Sequence, residues 1–219
     1  MRTHRRAQYT MVVALLLAAV SGRAVSAQAI TGDSARRAAR AYREQHEGAI
    51  LTEFATLVSL PNLASDSAGI WRNANHLLAM LAARGFTNRQ LLTVPGSPPA
   101  VYAEQIAPRA TQTLVLYAHY DGQPVDPKQW TTPPWQPVLR TGEVRAGGKV
   151  IPIPTGSGRV DGEARIYGRG AGDDKVSIMA ILAALDAMRA AKLESSVNIK
   201  VFFEGEEEAG STHLEQILL

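Results

Sequence analysis

Two apolar runs and the amphipathic segment between them limit the folds open to this chain more than any other feature. Residues 113–118 (TLVLYA) and 197–203 (VNIKVFF) have the length and apolar content of buried strands. Between them, residues 173–191 carry apolar side chains at every third or fourth position, as a helix packed on one face does. Helices that alternate with buried strands are typical of a helix-covered sheet. We therefore expect an α/β fold whose mixed sheet is mostly parallel.

Weaker patterns predict the remaining elements. A helix is expected from Asp33 to about Leu60, where Pro61 ends it, and a second from Ile70 to Ala83. Short strands are expected at 90–94 and 100–105. Residues 122–167 are rich in proline and glycine, which predicts a long loop with a hairpin insertion at 141–163.

The first 27 residues have the organisation of a secretory signal peptide. Arginines at positions 2, 5 and 6 precede an apolar stretch at 11–20, and Val25-Ser26-Ala27 offers a cleavage site. The apolar stretch is too short for a membrane span, which needs roughly 20 residues. We expect export to the periplasm or the medium, with no stable membrane anchor.

The predicted leader also accounts for the positive charge of the whole chain. It holds four of the 23 Lys and Arg residues and none of the 20 Asp and Glu residues, which leaves a net charge of −1. No basic stripe with interleaved aromatic residues remains, so a nucleic-acid partner is not expected. The chain has no cysteine, so its stability must come from the core and from any bound metal rather than from disulfides.

Three polar clusters lie where an α/β sheet carries its chemistry, at strand ends and at a helix start. His119 and Asp121 follow the first apolar run, Asp173 and Asp174 follow a glycine-rich turn, and the segment 204–208 (EGEEE) follows the second apolar run. Each cluster alone has a plain structural explanation: a satisfied histidine, a helix cap or a solvated acidic turn. The glycine-rich turn does not fit a dinucleotide fingerprint, because Asp173 stands where that pattern needs glycine. Together, imidazole and carboxylates suit zinc, and a spare glutamate suits a general base.

The segments YAHYDGQPVD (117–126), RIYGRGAGDDK (165–175) and FFEGEEEAGS (202–211) resemble the three motifs of the dinuclear-zinc metallopeptidase family. That family includes carnosine dipeptidases, carboxypeptidase G, aminoacylases and succinyl-diaminopimelate desuccinylase. The likeness extends from about Gly48 to Leu219 and is greatest to the dipeptidase branch. One departure is Val176, where the family usually has glycine.

The resemblance implies a role for each matching residue. His119 corresponds to a ligand of one zinc, and Asp121 to the residue that orients it. Asp173 corresponds to the carboxylate that bridges two metals and is usually followed by a cis peptide bond. Glu207 corresponds to the general base, and Glu208 to a ligand of the other zinc.

The implied activity is hydrolysis of a peptide or amide bond in a dipeptide or N-acyl amino acid, with two Zn²⁺ ions, or Co²⁺ or Mn²⁺ in their place. Residues 28–219 would then be the N-terminal part of a catalytic domain. Family members are longer and supply further ligands and a lid or dimerisation domain, which allows a homodimer. We therefore expect this chain to be truncated and inactive alone. The alternative hypothesis is a non-catalytic fragment that binds metal or a partner.

Overall fold

The computed structural model describes residues 32–219, so the predicted signal peptide at 1–27 lies outside the described residues. The helices and strands, in chain order, are α1 (Gly32–Val58), α2 (Ser67–Ala83), β1 (Thr87–Leu92), β2 (Ala100–Gln105), β3 (Thr113–His119), β4 (Val138–Arg140), β5 (Val150–Ile151), β6 (Arg165–Tyr167), α3 (Val176–Ala190), β7 (Asn198–Glu204) and α4 (Leu214–Leu218). In this part of the chain, no helix has the length and apolar character needed to cross a bilayer.

The larger sheet has four strands in the order β1-β2-β7-β3. β3 runs parallel to β7, whereas β2 is antiparallel to both β1 and β7. The predicted mixed α/β fold is therefore confirmed, but only one of these three strand pairs is parallel, fewer than expected. The parallel pair sets His119 directly beside Glu204, so the ends of both strands meet at one edge.

Three helices cover the sheet and form the core with it. Fully buried side chains come from α1 at Leu57, from α2 at Leu77 and Leu81, and from α3 at Ile178 and Leu182. They form one cluster with the buried residues of β2 and β7. Burial of this apolar surface is the main favourable term in folding.

Helix α2 begins earlier than the predicted Ile70. Asp66 is its N-cap, and its carboxylate accepts a hydrogen bond from the N–H of Gly69 at 3.0 Å. An aspartate cap of this kind satisfies a backbone donor that the helix leaves unpaired.

The prediction that residues 113–118 are a buried strand is wrong. β3 is an edge strand, and Leu114, Val115 and Tyr117 are 48%, 58% and 50% exposed. Burial begins only at Ala118 and His119. Apolar content indicated a strand correctly, but it could not show whether another element covers that strand.

The region predicted as a loop with a hairpin contains a small antiparallel sheet in the order β5-β4-β6. The hairpin joins β4 to β5, and β6 pairs with the other side of β4. The segment that links β6 to α3 bears the second polar cluster.

Candidate metal centre

His119 is the residue around which the predicted site forms. It lies at the end of β3 and is 6% exposed. Its Nδ1 lies 3.3 Å from Oδ1 of Asp121, and its Nε2 lies 3.0 Å from Oδ1 of Asp173. A carboxylate oxygen of Glu207 lies 3.7 Å from the same Nε2. Residues from all three sequence clusters therefore meet at one imidazole.

Asp121 connects the first cluster to the third. Its side chain is fully buried. Besides contacting the imidazole, it accepts hydrogen bonds from the backbone N–H groups of Glu207 at 3.2 Å and Glu208 at 3.0 Å. These contacts fix the carboxylate, which in turn orients the ring so that Nε2 faces Asp173, the arrangement that a histidine ligand needs.

The sequence pattern predicted that a helix begins at Asp173. In the structure, the turn that carries Asp173 is not the start of a regular helix. Residues Ala171–Lys175 form a π-type turn in which Asp173 and Asp174 have non-helical backbone angles, and α3 begins only at Val176. The peptide bond between the two aspartates is cis, which confirms the feature implied by the family resemblance.

Two residues of this turn, Asp174 and Lys175, hold it in place through hydrogen bonds to other segments. The Asp174 carboxylate accepts hydrogen bonds from the N–H of His119 at 3.4 Å and from the Ser177 hydroxyl. The fully buried ammonium of Lys175 donates to the carbonyls of Leu57 at 2.8 Å and Leu60 at 3.0 Å, and burial lowers its pKa to about 7.

Glu207 and Glu208 lie in the short 3-10 helix Glu207–Ala209, but their carboxylates differ in surroundings. The Glu207 side chain is 44% exposed and approaches His119. The Glu208 carboxylate instead accepts a hydrogen bond from the Gln123 amide. The arrangement thus brings Glu207 to the imidazole, while Glu208 joins the group through its backbone.

The other two acidic residues that begin this cluster have partners of their own. Glu204 is 3% exposed and accepts a hydrogen bond from the Tyr117 hydroxyl at 2.6 Å. Glu206 lies 2.9 Å from Nδ1 of His213. Both carboxylates are therefore engaged away from the His119 ring.

The electrostatics of the site favour positive charge. Burial of the His119 ring lowers its pKa, but the hydrogen bond and charge of Asp121, the hydrogen bond of Asp173 and the charge of Glu207 together raise the pKa to about 9. A single imidazole faces three carboxylates, so a cation at this point is stabilised by the surrounding charge.

The donor set fits zinc. Two ligand atoms at ~2.05 Å from a tetrahedral zinc lie about 3.3 Å apart. The 3.0 Å separation between Nε2 of His119 and Oδ1 of Asp173 differs from this by a few tenths of an ångström. In residues 32–219 as they stand, however, no set of three or more His, Asp or Glu side chains is arranged to hold a metal ion.

Two residues near the predicted site had been given no role from the sequence. They are Gln123, which bonds Glu208, and Lys175, which anchors the turn of Asp173 to Leu57 and Leu60, and each lies within one of the motif segments quoted above. Their position inside those motifs was the available signal.

Comparison with known proteins agrees with this geometry. Residues 115–218 match the sequence profile described as Peptidase family M20/M25/M40, a stretch that contains all three polar clusters. The match is to a peptidase M20 family domain and covers part of this chain. The family resemblance inferred from the motifs is therefore confirmed.

Individual relatives found by sequence comparison are dipeptidases. Over 122 residues the chain is 36% identical to the human Beta-Ala-His dipeptidase, and over 177 residues it is 29% identical to the Cys-Gly metallodipeptidase DUG1 of Candida albicans. These matches cover 55% and 74% of this chain but only 20% and 32% of the relatives.

The fold also matches a solved member of the M20 family. The metallo-carboxypeptidase Sso-CP2 of Sulfolobus solfataricus superposes with a TM-score of 0.60 at 32% identity, covering 77% of this chain and 33% of that one. The chain thus spans a fifth to a third of the length of these proteins.

Proposed function

We propose that this chain belongs to an exported, metal-dependent hydrolase of peptide or amide bonds, with two zinc ions and dipeptides as substrates. The observation that carries the proposal is the meeting of His119, Asp121, Asp173 and Glu207 around one imidazole, within an M20 domain. The dipeptidase relatives support the substrate class. The signal-peptide pattern of residues 1–27 supports export.

Within this proposal each side chain has one task. His119 and Asp173 hold metal through Nε2 and a carboxylate oxygen, and Glu208 supplies a ligand for the other ion. When bound, zinc polarises the scissile carbonyl and lowers the pKa of water toward ~7. Asp121 keeps the His119 ring in the orientation and tautomer that leave Nε2 free.

Glu207 is the proposed general base. One of its carboxylate oxygens lies 3.7 Å from Nε2 of His119, and its side chain is 44% exposed, so solvent and substrate can reach it. In this position it can take a proton from the attacking water and deliver it to the leaving amine.

The test separates metal binding from turnover. Zinc binding by the purified chain is measured by equilibrium dialysis. Because the chain alone is expected to be inactive, dipeptide hydrolysis is assayed, with and without zinc, in the hydrolase to which the chain is proposed to belong. We expect His119→Ala and Asp173→Ala to lose zinc, and Glu207→Gln to keep zinc while losing turnover. Zinc binding that is absent from the wild type, or equal in all variants, would contradict the proposal, as would turnover that survives Glu207→Gln.

Export has its own measurement. The N-terminus of the mature protein, recovered from producing cells and sequenced, is expected to begin just after Ala27. A mature protein that begins at Met1 would contradict the proposed processing.

A further inference from the structure

A buried asparagine outside all three motifs contacts the backbone of two of them. Asn62 lies between α1 and α2 and is fully buried. Its Nδ2 donates to the carbonyl of Tyr120 at 3.0 Å, and its own carbonyl accepts from the N–H of Gly122 at 2.9 Å. These two partners are the residues on either side of Asp121. Asn62 therefore holds the peptide groups before and after the carboxylate that orients His119.

The orientation of the Asn62 amide follows from its partners. Its Oδ1 accepts a hydrogen bond from the indole Nε1 of Trp135 at 3.0 Å. An indole N–H can only donate and a backbone carbonyl can only accept, so the oxygen must face Trp135 and the nitrogen must face Tyr120. Both the Oδ1 and the Nδ2 of Asn62 are thus hydrogen-bonded.

The same amide also packs against the turn that precedes Asp173. A Cβ added to Gly170 would lie 2.7 Å from Nδ2 of Asn62, and one added to Gly122 would lie 2.8 Å from it. Gly170 has a positive φ of 75°, which glycine adopts freely. The backbones of the first and second motifs therefore both approach the Asn62 amide closely, at glycines that leave room for it.

We propose that Asn62 is a positioning residue of the metal centre. It sets the segment that carries His119 and Asp121 at a fixed distance from the turn that carries Asp173. This inference rests on the proposed function, because it assumes that these residues hold a metal. A smaller side chain removes the hydrogen bonds to Tyr120 and Trp135, keeps the backbone bond to Gly122, and leaves the two backbones without the amide that spaces them.

The experiment measures zinc affinity and the absorption spectrum of bound cobalt, which reports ligand geometry. For Asn62→Ala, we expect the zinc dissociation constant to rise about 10–100-fold, as for other residues that orient ligands, and the cobalt spectrum to change. Trp135→Phe is a milder variant, because it removes only the donor to Oδ1. It should shift both readouts in the same direction by less.

Two controls separate positioning from general stability. Leu81→Ala empties part of the core at the far end of α2, and Asn198→Ala removes a second asparagine whose amide joins two segments at the other end of β7. Both are expected to leave zinc affinity and the cobalt spectrum unchanged in the folded protein.

The outcomes are distinct. If the wild type binds zinc and Asn62→Ala has the same zinc affinity and cobalt spectrum, the inference is overturned and the proposed function stands. The same follows if Leu81→Ala loses as much zinc affinity as Asn62→Ala. A wild-type chain that binds no zinc overturns the proposed function and the inference with it.

Discussion

Two clusters of charged side chains in this molecule differ in how their charges balance. Arg84 is buried and donates to both carboxylate oxygens of Glu53, at 3.0 and 2.8 Å, and to Asp186 at 2.9 Å. Arg189 lies on the far side of Asp186 at 3.2 Å. Two cations thus meet two anions, and the group ties α1, α2 and α3 together.

The cluster at the strand ends is not balanced. Within residues 32–219, His119 is the only basic group that contacts the carboxylates of Asp121, Asp173 and Glu207. The comparison indicates that a charge-balanced network around the buried Arg84 serves the fold, whereas an excess of one charge leaves a place for an ion of the other sign. Three variants test this distinction, and a fourth concerns a titratable group outside both clusters.

The largest effect is expected when the balanced network loses its cation. Arg84→Met leaves Glu53 and Asp186 near each other without the guanidinium that both contact. Breaking a buried ion pair by removing one partner typically costs 3–5 kcal/mol. Denaturant unfolding should show a loss of this size, while the zinc affinity of the folded protein stays the same. Arg109→Met is the matched control, since its pair with Glu194 is exposed and 3.8 Å apart, and no measurable change is expected.

Zinc should act only on the unbalanced cluster. At a free zinc concentration 100 times the dissociation constant, binding to the folded state alone raises the free energy of unfolding by about 2.7 kcal/mol. Asp173→Ala should abolish this gain yet cost little without zinc, because the Asp173 side chain is 77% exposed. Equal stabilisation by zinc in both proteins would show that the ion binds elsewhere.

A smaller loss of zinc binding is expected from Asp121→Asn, which keeps the shape of the side chain but removes its charge. The new amide faces two backbone N–H donors, those of Glu207 and Glu208, with one acceptor oxygen instead of two. Zinc affinity should fall 10–100-fold, measured by competition with a chelator of known affinity. An unchanged affinity would mean that the imidazole is oriented by other contacts.

The positions of the site residues at the ends of β3 and β7 were predictable because strand ends are visible in the sequence, whereas the helix start expected at Asp173 was wrong. Apolar runs located β3 and β7, and the polar residues that follow them meet at one edge because the two strands are parallel and in register. The bounds of Ala100–Gln105 were also predicted correctly. These features depend on neighbours within a few residues, which a sequence pattern records.

The supports of the site could not be predicted, because they join residues that are far apart in the chain. Asn62 bonds a residue 58 positions away, and Lys175 bonds one 118 positions away. In both contacts the acceptor is a backbone carbonyl, so no particular residue type marks the partner. The exposure of β3 was missed for a related reason, since burial depends on what packs beside a strand.

The smallest effect concerns a titratable group outside both clusters. Burial lowers the pKa of His76 below its ordinary value of 6.5; the charge of Glu53 opposes this and that of Lys175 adds to it. Below pH 6.5 the unfolded chain therefore binds a proton at this ring more readily than the folded chain, and stability at this residue is lost as the pH falls. His76→Leu removes the titration without breaking a hydrogen bond at Nε2, which has no partner within residues 32–219. Unfolding experiments in chelator from pH 7.5 to 5 should show that the wild type loses more stability than the variant. If the two proteins differ in free energy of unfolding by the same amount at every pH, the substitution has changed packing alone. That result would contradict the lowered pKa of His76.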